Sequence, residues 1–412
     1  MGWAIRASTA ADVPALVTAD WAAFGNQAAD DVIEAARGYL EIDRTFVAVA
    51  GDRVVASGGA LSLELTVPGP ATVPAAGITF IGVIPTHRRQ GILTGLMARL
   101  ADDARSRGEP VAALLASESS IYRRFGYGVA VSAAMVEIER PYARLRRPVD
   151  VTGRVRMLDR AEYAVVLPPV HDRYRRRQPG EVSRPAGWWA RRLLDREADR
   201  DGASGRFAVV WEGPGQVPEG YVTYRVRHNW DGGLPGHTLT VEDLVATTAE
   251  ARAGLWQYCF GVDLVGLVKA GNVALDDPLR WMLDDPRRLR VTAVNDRLWV
   301  GLLDVEAALG ARTYGSDACL VLEVGDGSVS GAGVAGRYRL TGGGGGPAEC
   351  HRTDDLPALA LDAADLAAAY LGGVGFSTLA RAGLVAELVA GALSRADSLF
   401  AAAPGPASST GF

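Results

Sequence analysis

A buried strand, a basic loop, a glycine and an amphipathic helix follow one another in the first third of the chain, and they constrain its fold more than any other stretch. Residues 77–83 form the apolar strand, Arg88 and Arg89 stand in the loop, and Gly91 opens the helix. The first turn of a helix carries unpaired N–H groups and the positive end of the helix dipole, so it attracts anions. The succession predicts an α/β region whose helix N-terminus holds a phosphorylated cofactor.

The same loop argues against two common nucleotide-binding folds. It has too few glycines for a dinucleotide fingerprint, and it lacks the Gly-Lys-Ser/Thr of a P-loop. By residue type alone, an arginine-rich loop before a helix is also compatible with a solvated surface turn. The ligand class therefore depends on the wider pattern of the chain.

Hydrophobic periodicity and turn residues predict further elements. The helices are predicted over residues 10–24, 31–40, 91–106, 160–174, 188–194, 249–259, 362–370 and 385–399. The strands are predicted over residues 46–50, 54–65, 77–83, 111–116, 207–211, 220–227, 239–247, 298–305, 319–324 and 329–340. We expect residues 141–152 to connect two domains, the glycine run at 342–346 to lie at the surface, and the tail at 404–412 to fray.

A degenerate internal repeat relates the first third of the chain to the middle third. Residues 245–255 align with residues 83–93, and in this alignment Glu250 replaces Arg88 and an alanine replaces the glycine. The second copy is therefore expected to have lost the residues that bind phosphate.

The composition excludes several classes of protein. The 412 residues suffice for about two to four domains, and 48% hydrophobic with 22% charged residues is typical of a globular protein. Lys and Arg total 43 against 48 Asp and Glu, so no nucleic-acid or membrane surface is expected. Three cysteines and five scattered histidines predict neither a disulfide framework nor a metal site. Because we see no signal peptide and no long apolar run, we expect a cytoplasmic protein.

Two motifs carry a family resemblance. The first reads VIPTHRRQG and the second AALLASESSIYRRFGYG. The Arg-x-x-Gly-x-Gly/Ala signature in the first resembles the acetyl-CoA site of the GNAT superfamily of N-acetyltransferases, although Leu93 replaces the usual Gly or Ala. Together the motifs resemble the enhanced intracellular survival (Eis) N-acetyltransferases, and the resemblance extends over the whole chain to its aromatic C-terminal residue.

This resemblance implies an α/β (α+β) fold with tandem GNAT domains. An N-terminal GNAT acetyltransferase domain is expected at residues 1–147, a degenerate GNAT-like domain at 148–289, and a sterol-carrier-protein-like α+β domain at 290–412. The degenerate repeat agrees with the second of these. The resemblance also implies a homo-oligomer, specifically a hexamer, and a functional C-terminus.

The resemblance further implies which residues bind acetyl-CoA. Its pantetheine is expected to pair along the strand, its pyrophosphate to lie over the loop and first helical turn, and the end of the next strand to line the same cleft. The residues concerned are Ile81, Gly82, Val83, Arg88, Arg89, Gln90, Gly91, Ile92, Leu93, Thr94, Ser117 and Glu118.

By the same resemblance, Tyr122 is the general acid and the α-carboxylate of Phe412 is the general base. A phenol with a pKa of about 10 can return a proton to a thiolate whose conjugate acid has a pKa near about 8.5. An α-carboxyl group is a weak base unless burial raises its pKa, so its main role would be to orient an ammonium group. By residue type alone Tyr122 is more commonly a packing residue, and Tyr127 competes with it for the catalytic role.

The acceptor amine is the remaining partner. The residues expected to face it are Phe24, Asn26, Phe80 and Asp296, with Trp188 or Trp189 as a further aromatic wall. Carboxylates and aromatic faces suit cationic amines. Family members that acetylate aminoglycosides carry an acid at the position of Asn26 and another shortly before the terminal residue, where this tail has none. Both departures are expected to weaken polycation binding or to change substrate preference; Phe24 and Phe80 are also compatible with the core.

The leading hypothesis is an acetyl-CoA-dependent N-acetyltransferase that modifies amines of cationic small molecules, of the aminoglycoside type, by direct attack in a ternary complex. One alternative is acetylation of protein lysines or another polyamine. Another is a non-catalytic lipid-binding or scaffold protein, in which residues 356–360 and 366–371 would line a tunnel instead of packing as core.

Overall fold

The computed structural model describes residues 2–69, 71–147, 153–325, 333–344 and 346–412. The chain divides into two compact units. The first unit contains Met1–Val131, Asp296–Pro406 and Thr410–Phe412, and the second contains Ser132–Asn295 and Ala407–Ser409. Among the helices in these described ranges, none has the length and apolar character needed to cross a membrane.

The chain contains 19 strands and 12 α-helices within the described residues. Up to residue 147 they are β1 (Ala4–Ala7), α1 (Val13–Ala23), α2 (Asp30–Arg37), β2 (Thr45–Ala50), β3 (Arg53–Val67), β4 (Ala71–Val83), α3 (Ile92–Ser106), β5 (Val111–Leu114), α4 (Ser119–Tyr122) and β6 (Tyr127–Glu139). Up to residue 302 they are β7 (Arg154–Met157), α5 (Arg160–Arg175), α6 (Ala186–Leu193), β8 (Phe207–Glu212), β9 (Pro218–Arg227), β10 (Trp230–Asp231), β11 (Leu234–Pro235), β12 (His237–Ala246), α7 (Ala249–Gly261), β13 (Val265–Ala274), α8 (Leu279–Met282) and β14 (Arg290–Leu302). The remainder contains α9 (Val305–Gly310), β15 (Cys319–Gly325), β16 (Gly336–Gly343), β17 (Gly346–Arg352), β18 (Leu359–Asp362), α10 (Ala363–Ala369), α11 (Phe376–Arg381), β19 (Val385–Glu387) and α12 (Ala392–Phe400).

The first unit is built on a sheet in which β1 to β4 are antiparallel. β5 pairs in parallel with β4 only where residues 75–77 face residues 111–113. On its other side β5 pairs with the end of β14. Because β4 continues to Val83, it extends well past the point at which its ladder with β5 ends.

Helices cover both faces of this sheet. In α3, Ile92, Leu96 and Leu100 recur at every fourth position and are buried, as an amphipathic helix requires. Phe46 of β2 packs in the same cluster as α3, whereas the next residue, Val47, packs with α1. Successive strand residues point to opposite faces, so α1 and α3 lie on opposite faces.

The second unit repeats this topology. β7, β8, β9 and β12 are antiparallel, β12 is parallel to β13, and α7 connects the last two as α3 connects β4 and β5. β13 then pairs with residues 133–139 of β6. The sheet of the first unit thus gains the end of β14, which comes after the second copy in the sequence. The sheet of the second unit gains the end of β6, which comes after α3 and β5 of the first copy.

The C-terminal region forms a second sheet in the first unit. β17, β16 and β15 are antiparallel, β15 is parallel to β18, and β18 is antiparallel to β19. Of the apolar stretches considered for a tunnel, Leu366 and Leu371 are fully buried in packed core, whereas Leu356 is exposed.

Two sequence predictions need correction. The helix predicted over 385–399 is wrong in its first part, because Val385–Glu387 pairs with β18 and the helix begins only after Gly391, whose φ is 80°. The prediction that the tail frays is wrong, because Ala407, Ser408 and Thr410 are buried. Hydrogen bonds within the second unit, from Ser409 to Glu181 and from Arg184 to Ser409, hold this segment.

The remaining differences are smaller. Besides β19, the elements that were not predicted are β1, β6, β7, β10, β11, β13, β17 and β18 and the short helices α4, α8, α9 and α11. The glycine run forms the turn between β16 and β17, and Gly342 is buried there, close to Ser316 and Leu399. Residues 148–152 of the predicted connector, residues 329–332 of the predicted strand and Gly345 lie outside the described residues.

Candidate active site

A bulge bends β4 beyond its ladder with β5. The register between β3 and β4 shifts between Ser57 and Gly59, opposite Phe80. Phe80 has a φ of 53°, a left-handed conformation that bulky residues rarely adopt, and the Ser57 hydroxyl donates a hydrogen bond to its carbonyl oxygen at 2.9 Å. Bulges of this kind re-aim backbone groups next to active sites. Residues 81–83, which include the predicted Ile81, Gly82 and Val83, follow directly.

The helix that follows β4 begins with an open N-terminus. Gly91 has a φ of 81° and precedes α3, and no side chain of the described residues caps this end. The N–H groups of Ile92, Leu93 and Thr94 have no acceptor within the helix, because the first intrahelical bond runs from Gly95 to Gly91. Three amides without intrahelical acceptors at a helix N-terminus favour an anion, so the predicted binding of a phosphate here stays a prediction.

The loop before Gly91 is held by two side chains. The Trp3 indole donates a hydrogen bond to the Gln90 carbonyl oxygen at 3.1 Å. The Arg88 guanidinium donates to the carbonyl oxygen of Ala23, at the end of α1, at 2.7 Å. Arg89 is exposed and has a φ of 60°. Arg88 therefore joins α1 to the loop, and Arg89 is the better placed of the two arginines for a phosphate.

The corresponding helix start in the second unit is closed. The Thr248 hydroxyl accepts a hydrogen bond from the Ala251 N–H at 3.2 Å and donates one to the Glu219 carboxylate at 3.3 Å. Glu250 adds a second carboxylate in the first turn of α7. A capped helix end beside two acids repels phosphate, which gives the degeneracy of the second copy a physical basis.

Tyr122 ends the single turn of α4 and is 5% exposed. Burial raises the pKa of its phenol, the nearby charges of Glu118 and Asp20 raise it further, and a hydrogen bond with Ser117 acts in the opposite direction. The phenol therefore keeps its proton at neutral pH. Ser117 and Glu118, both predicted to line the cleft, are thus neighbours of the predicted acid.

Tyr127, the competing tyrosine, is a core residue. Its ring is 6.3 Å from that of Tyr122, in an edge-to-face arrangement, and it packs so closely on Gly301 that a Cβ there would lie 3.2 Å from it. Complete burial raises the pKa of its phenol strongly. Core packing explains the presence of Tyr127, whereas Tyr122 has the polar neighbours Ser117 and Glu118.

Asp20 is a candidate site residue that sequence reasoning missed. It lies on α1, and a Cβ on Gly82 would stand 3.0 Å from its Oδ1 atom. A signal was available, because Val13, Val17 and Asp20 follow helical spacing along the buried face of α1. A carboxylate on the otherwise apolar face of a helix is costly to bury, so it marks Asp20 as a candidate for a binding or catalytic role.

Ser409, which belongs to the second unit, is anchored by buried charged residues of that unit. The Ser409 N–H and hydroxyl both donate to the Glu181 carboxylate, at 2.7 and 2.9 Å, and Arg184 donates to the Ser409 hydroxyl at 2.8 Å. Arg184 is itself held by Tyr221 and by Asp243 at 2.6 Å. Because Glu181 and Arg184 are buried, these bonds are shielded from water.

Phe412 lies in the first unit beside β4. The Cε2 atom of its ring is 3.3 Å from the position that a Cβ on Gly77 would occupy. Gly77 is the last residue of β4 that pairs with β5. The terminal residue is therefore ordered at the point where the β4–β5 ladder ends.

The residues predicted to face the acceptor occupy several places. Phe24 is 54% exposed, and Asn26 is exposed near it. Phe80 is half-buried and packs on Tyr39, with ring centroids 6.1 Å apart. The exposed Asp296 accepts a hydrogen bond from the Trp299 indole at 2.6 Å.

Trp188 and Trp189 are the remaining acceptor candidates, and both belong to the second unit. Both are buried, and the guanidinium of Arg184 lies 4.4 Å from the centroid of the Trp188 ring. Within the described ranges, no cluster of three or more His, Cys, Asp or Glu side chains is arranged to hold a metal ion.

Three family models match successive parts of the chain. Residues 4–130 and residues 180–302 each match an acetyltransferase (GNAT) domain. Residues 305–408 match a sterol carrier protein domain. Together they describe the tandem GNAT arrangement with a C-terminal sterol-carrier-like domain.

Relatives of known sequence extend over most of the chain. An N-acetyltransferase from Streptomyces avermitilis is 42% identical over 367 residues, which is 89% of this chain and 88% of the relative. N-acetyltransferase Eis from Mycobacterium tuberculosis is 35% identical over 358 residues, which is 85% of this chain and 84% of the relative.

Solved structures of N-acetyltransferases also resemble this chain over its whole length. The crystal structure of Eis1 from Mycobacterium abscessus aligns with a TM-score of 0.87 at 36% identity, covering 99% of this chain and 100% of that one. A GCN5-related N-acetyltransferase from Anabaena variabilis, at 20% identity with a TM-score of 0.84, covers 100% of both chains and shows the fold alone. The protein belongs to the Eis family of N-acetyltransferases, within the GNAT superfamily.

Proposed function

We propose that this N-acetyltransferase uses acetyl-CoA to modify amines of cationic small molecules, of the aminoglycoside type, by direct attack in a ternary complex. The observation that carries the proposal is the arrangement of β4, α3 and Tyr122 in the first unit, which we take as the cofactor cleft. There the bulged end of β4 leaves β5 beside the open N-terminus of α3, and the protonated phenol of Tyr122 lies among Ser117, Glu118 and Asp20.

The residues of this cleft fit acetyl-CoA. The amides of Ile92, Leu93 and Thr94, with Gln90 and Gly91 before them, would bind the pyrophosphate, and Arg89 would add a charge-assisted donor. Arg88 would support the loop, and Ile81, Gly82 and Val83 would pair with the pantetheine amides as an added strand does. When bound, acetyl-CoA supplies an acyl group on a thioester.

Two groups of the chain would move protons. Tyr122 donates its phenolic proton to the departing thiolate sulfur as the amine nitrogen forms its bond to the acyl carbon and the C–S bond breaks. The Phe412 carboxylate orients the acceptor ammonium and takes up the proton that the nitrogen loses, directly or through water. No acyl-enzyme is needed in this sequence.

The groups that we propose to face the acceptor favour a cation of modest charge. Asp296, Asp20 and Glu118 supply carboxylates and Phe24 supplies an exposed aromatic face, while Asn26 contributes no charge. The proposal therefore includes monoamines, polyamines and protein lysines as competing acceptors. We also propose the domain boundaries 1–147, 148–289 and 290–412, a homohexamer, and a cytoplasmic location.

The test is an acceptor screen. The full-length protein is mixed with acetyl-CoA and, in separate wells, an aminoglycoside, a linear polyamine and a lysine peptide. Free thiol gives the rate, and mass spectrometry counts the acetyl groups added. We expect turnover with at least one small cationic amine and a kcat lowered about 10²–10⁴-fold in Tyr122→Phe. Thiol release that is unchanged in Tyr122→Phe would refute the assigned acid.

A further inference from the structure

Arg123 follows Tyr122 directly and makes a bidentate ion pair with a residue that is distant in sequence. Its Nη1 donates to Asp365 Oδ1 at 2.7 Å, and its Nη2 donates to Oδ2 at 2.8 Å. Asp365 is only 1% exposed and lies in the first turn of α10, within the part of the chain that matches a sterol carrier protein domain. Two parallel charge-assisted bonds fix orientation as well as distance.

The helix that carries Tyr122, α4, depends on tertiary contacts for its position. α4 is a single turn, which is too short to be stable alone. Among the described residues, no side chain caps its N-terminus, and the 3-10 turn Arg123–Phe125 that follows ends at Gly126, whose φ is 85°. Burial of Tyr122 and Phe125 in the core fixes the apolar side of this segment, and the Arg123 ion pair adds a charged contact with α10.

α10 gives the ion pair a rigid support. A Cβ on Gly128, at the start of β6, would stand 2.6 Å from the backbone nitrogen of Ala368 in α10. The absence of a side chain therefore lets α10 approach β6 at backbone contact. A carboxylate on this helix has little freedom to move, and neither has the guanidinium that it binds.

We propose that Asp365 is a positioning residue for Tyr122, acting through Arg123, so that the sterol-carrier-like region sets the geometry of acetyl transfer. The proposal rests on the function proposed above. A general acid must stand within about 2.6–3.2 Å of the atom that it protonates, and an error of about 1 Å can cost about 10²-fold in rate. Loss of the pair should therefore lower kcat and leave the binding of acetyl-CoA largely intact.

The experiment measures kcat and the KM for acetyl-CoA in Asp365→Asn and in the double variant Arg123→Met/Asp365→Leu. Only the carboxylate of this ion pair is buried, and apolar replacement of both partners leaves no uncompensated buried charge, so the double variant covers the case in which the first one unfolds. We expect kcat to fall by about 10–100-fold, with the KM for acetyl-CoA changed by less than about threefold. A folded double variant with wild-type kcat would overturn the proposal.

A Tyr122→Phe background separates positioning from general support. If Asp365 acts through Tyr122, adding Asp365→Asn to Tyr122→Phe should lower the residual kcat no further. A further loss by the same factor would place its effect elsewhere and overturn the proposal.

The matched control is Asp355→Asn, which removes an ion pair with Arg339 in the same region at an exposed position, and it should behave as wild type. The outcome for the wild type separates this proposal from the proposed function. A wild-type protein that releases no thiol with any amine refutes both proposals, whereas an active wild type with an equally active double variant refutes only the positioning role.

Discussion

Gly82 of β4 and Asp20 of α1 are in direct contact. A Cβ on Gly82 would stand 2.9 Å from the Asp20 Cα atom and 3.0 Å from its Oδ1 atom. The missing side chain lets α1 place a carboxylate against the strand on which the pantetheine is proposed to pair. The contact joins the helix that leads to Phe24 with the edge of the proposed cleft.

Gly82→Ala should push α1 away from β4. The added methyl group meets backbone as well as side chain, so we expect a loss of about 1–3 kcal/mol in the free energy of unfolding and a higher KM for acetyl-CoA. Gly38→Ala is the control, because Gly38 is exposed with a φ of −82° and its nearest neighbour stands 3.8 Å from a Cβ. Denaturant titration and steady-state kinetics measure both. Wild-type values in Gly82→Ala would contradict the close contact.

Asp20→Asn should shift the pH dependence of kcat. Burial is the largest cause of the raised pKa of Tyr122, and the charges of Glu118 and Asp20 add to it. Removal of one negative charge makes the phenolate less unfavourable, so the pKa of Tyr122 falls. If the enzyme needs the protonated phenol, the loss of activity with rising pH then begins at a lower pH in the variant than in wild type.

The measurement is the alkaline limb of kcat in wild type and Asp20→Asn, which should lie at lower pH in the variant. Glu34→Gln, which alters an exposed acid on α2, is the control and should leave the limb in place. A limb that does not move, or that moves to higher pH, would mean that Asp20 does not act on Tyr122.

Ser409→Ala should loosen the C-terminal tail. The hydroxyl bonds to the buried residues Glu181 and Arg184 are lost, which costs about 1–3 kcal/mol locally. Ser409 precedes Phe412 by three residues, so we expect faster hydrogen exchange at residues 407–410 together with a lower kcat.

Ser398→Ala is the comparison variant, because its hydroxyl bonds to the Ser394 carbonyl oxygen, at 3.0 Å, on the exposed side of α12. It should change neither hydrogen exchange in the tail nor kcat. Faster exchange in Ser409→Ala without loss of activity would argue against a catalytic role for the terminal carboxylate.

Local patterns were enough to predict α1 to α3 and β2 to β5 in the first repeat. The apolar residues of α3 recur at helical spacing, Gly91 needs a conformation that glycine adopts easily, and the turn between β2 and β3 has typical residues. The copied pattern in the middle third likewise predicted β12 and α7.

What the sequence did not predict depends on contacts between distant residues. The apolar run at 385–399 is compatible with a helix until β18 pairs with its first residues. The tail looks unstructured by composition, yet buried partners at Glu181 and Arg184 hold it. Asp365 lies 242 residues from its partner Arg123, and no local pattern links them.

The central claim is that the N-terminus of α3, and not that of α7, binds the pyrophosphate of acetyl-CoA. Isothermal titration of acetyl-CoA into wild type and Gly91→Asp tests it most directly, because the new carboxylate would occupy the open helix end as Thr248 and Glu219 do in the second copy. We predict one site per chain in wild type and a Kd at least about tenfold weaker in the variant. Two sites per chain, or equal affinity in Gly91→Asp, would contradict the claim.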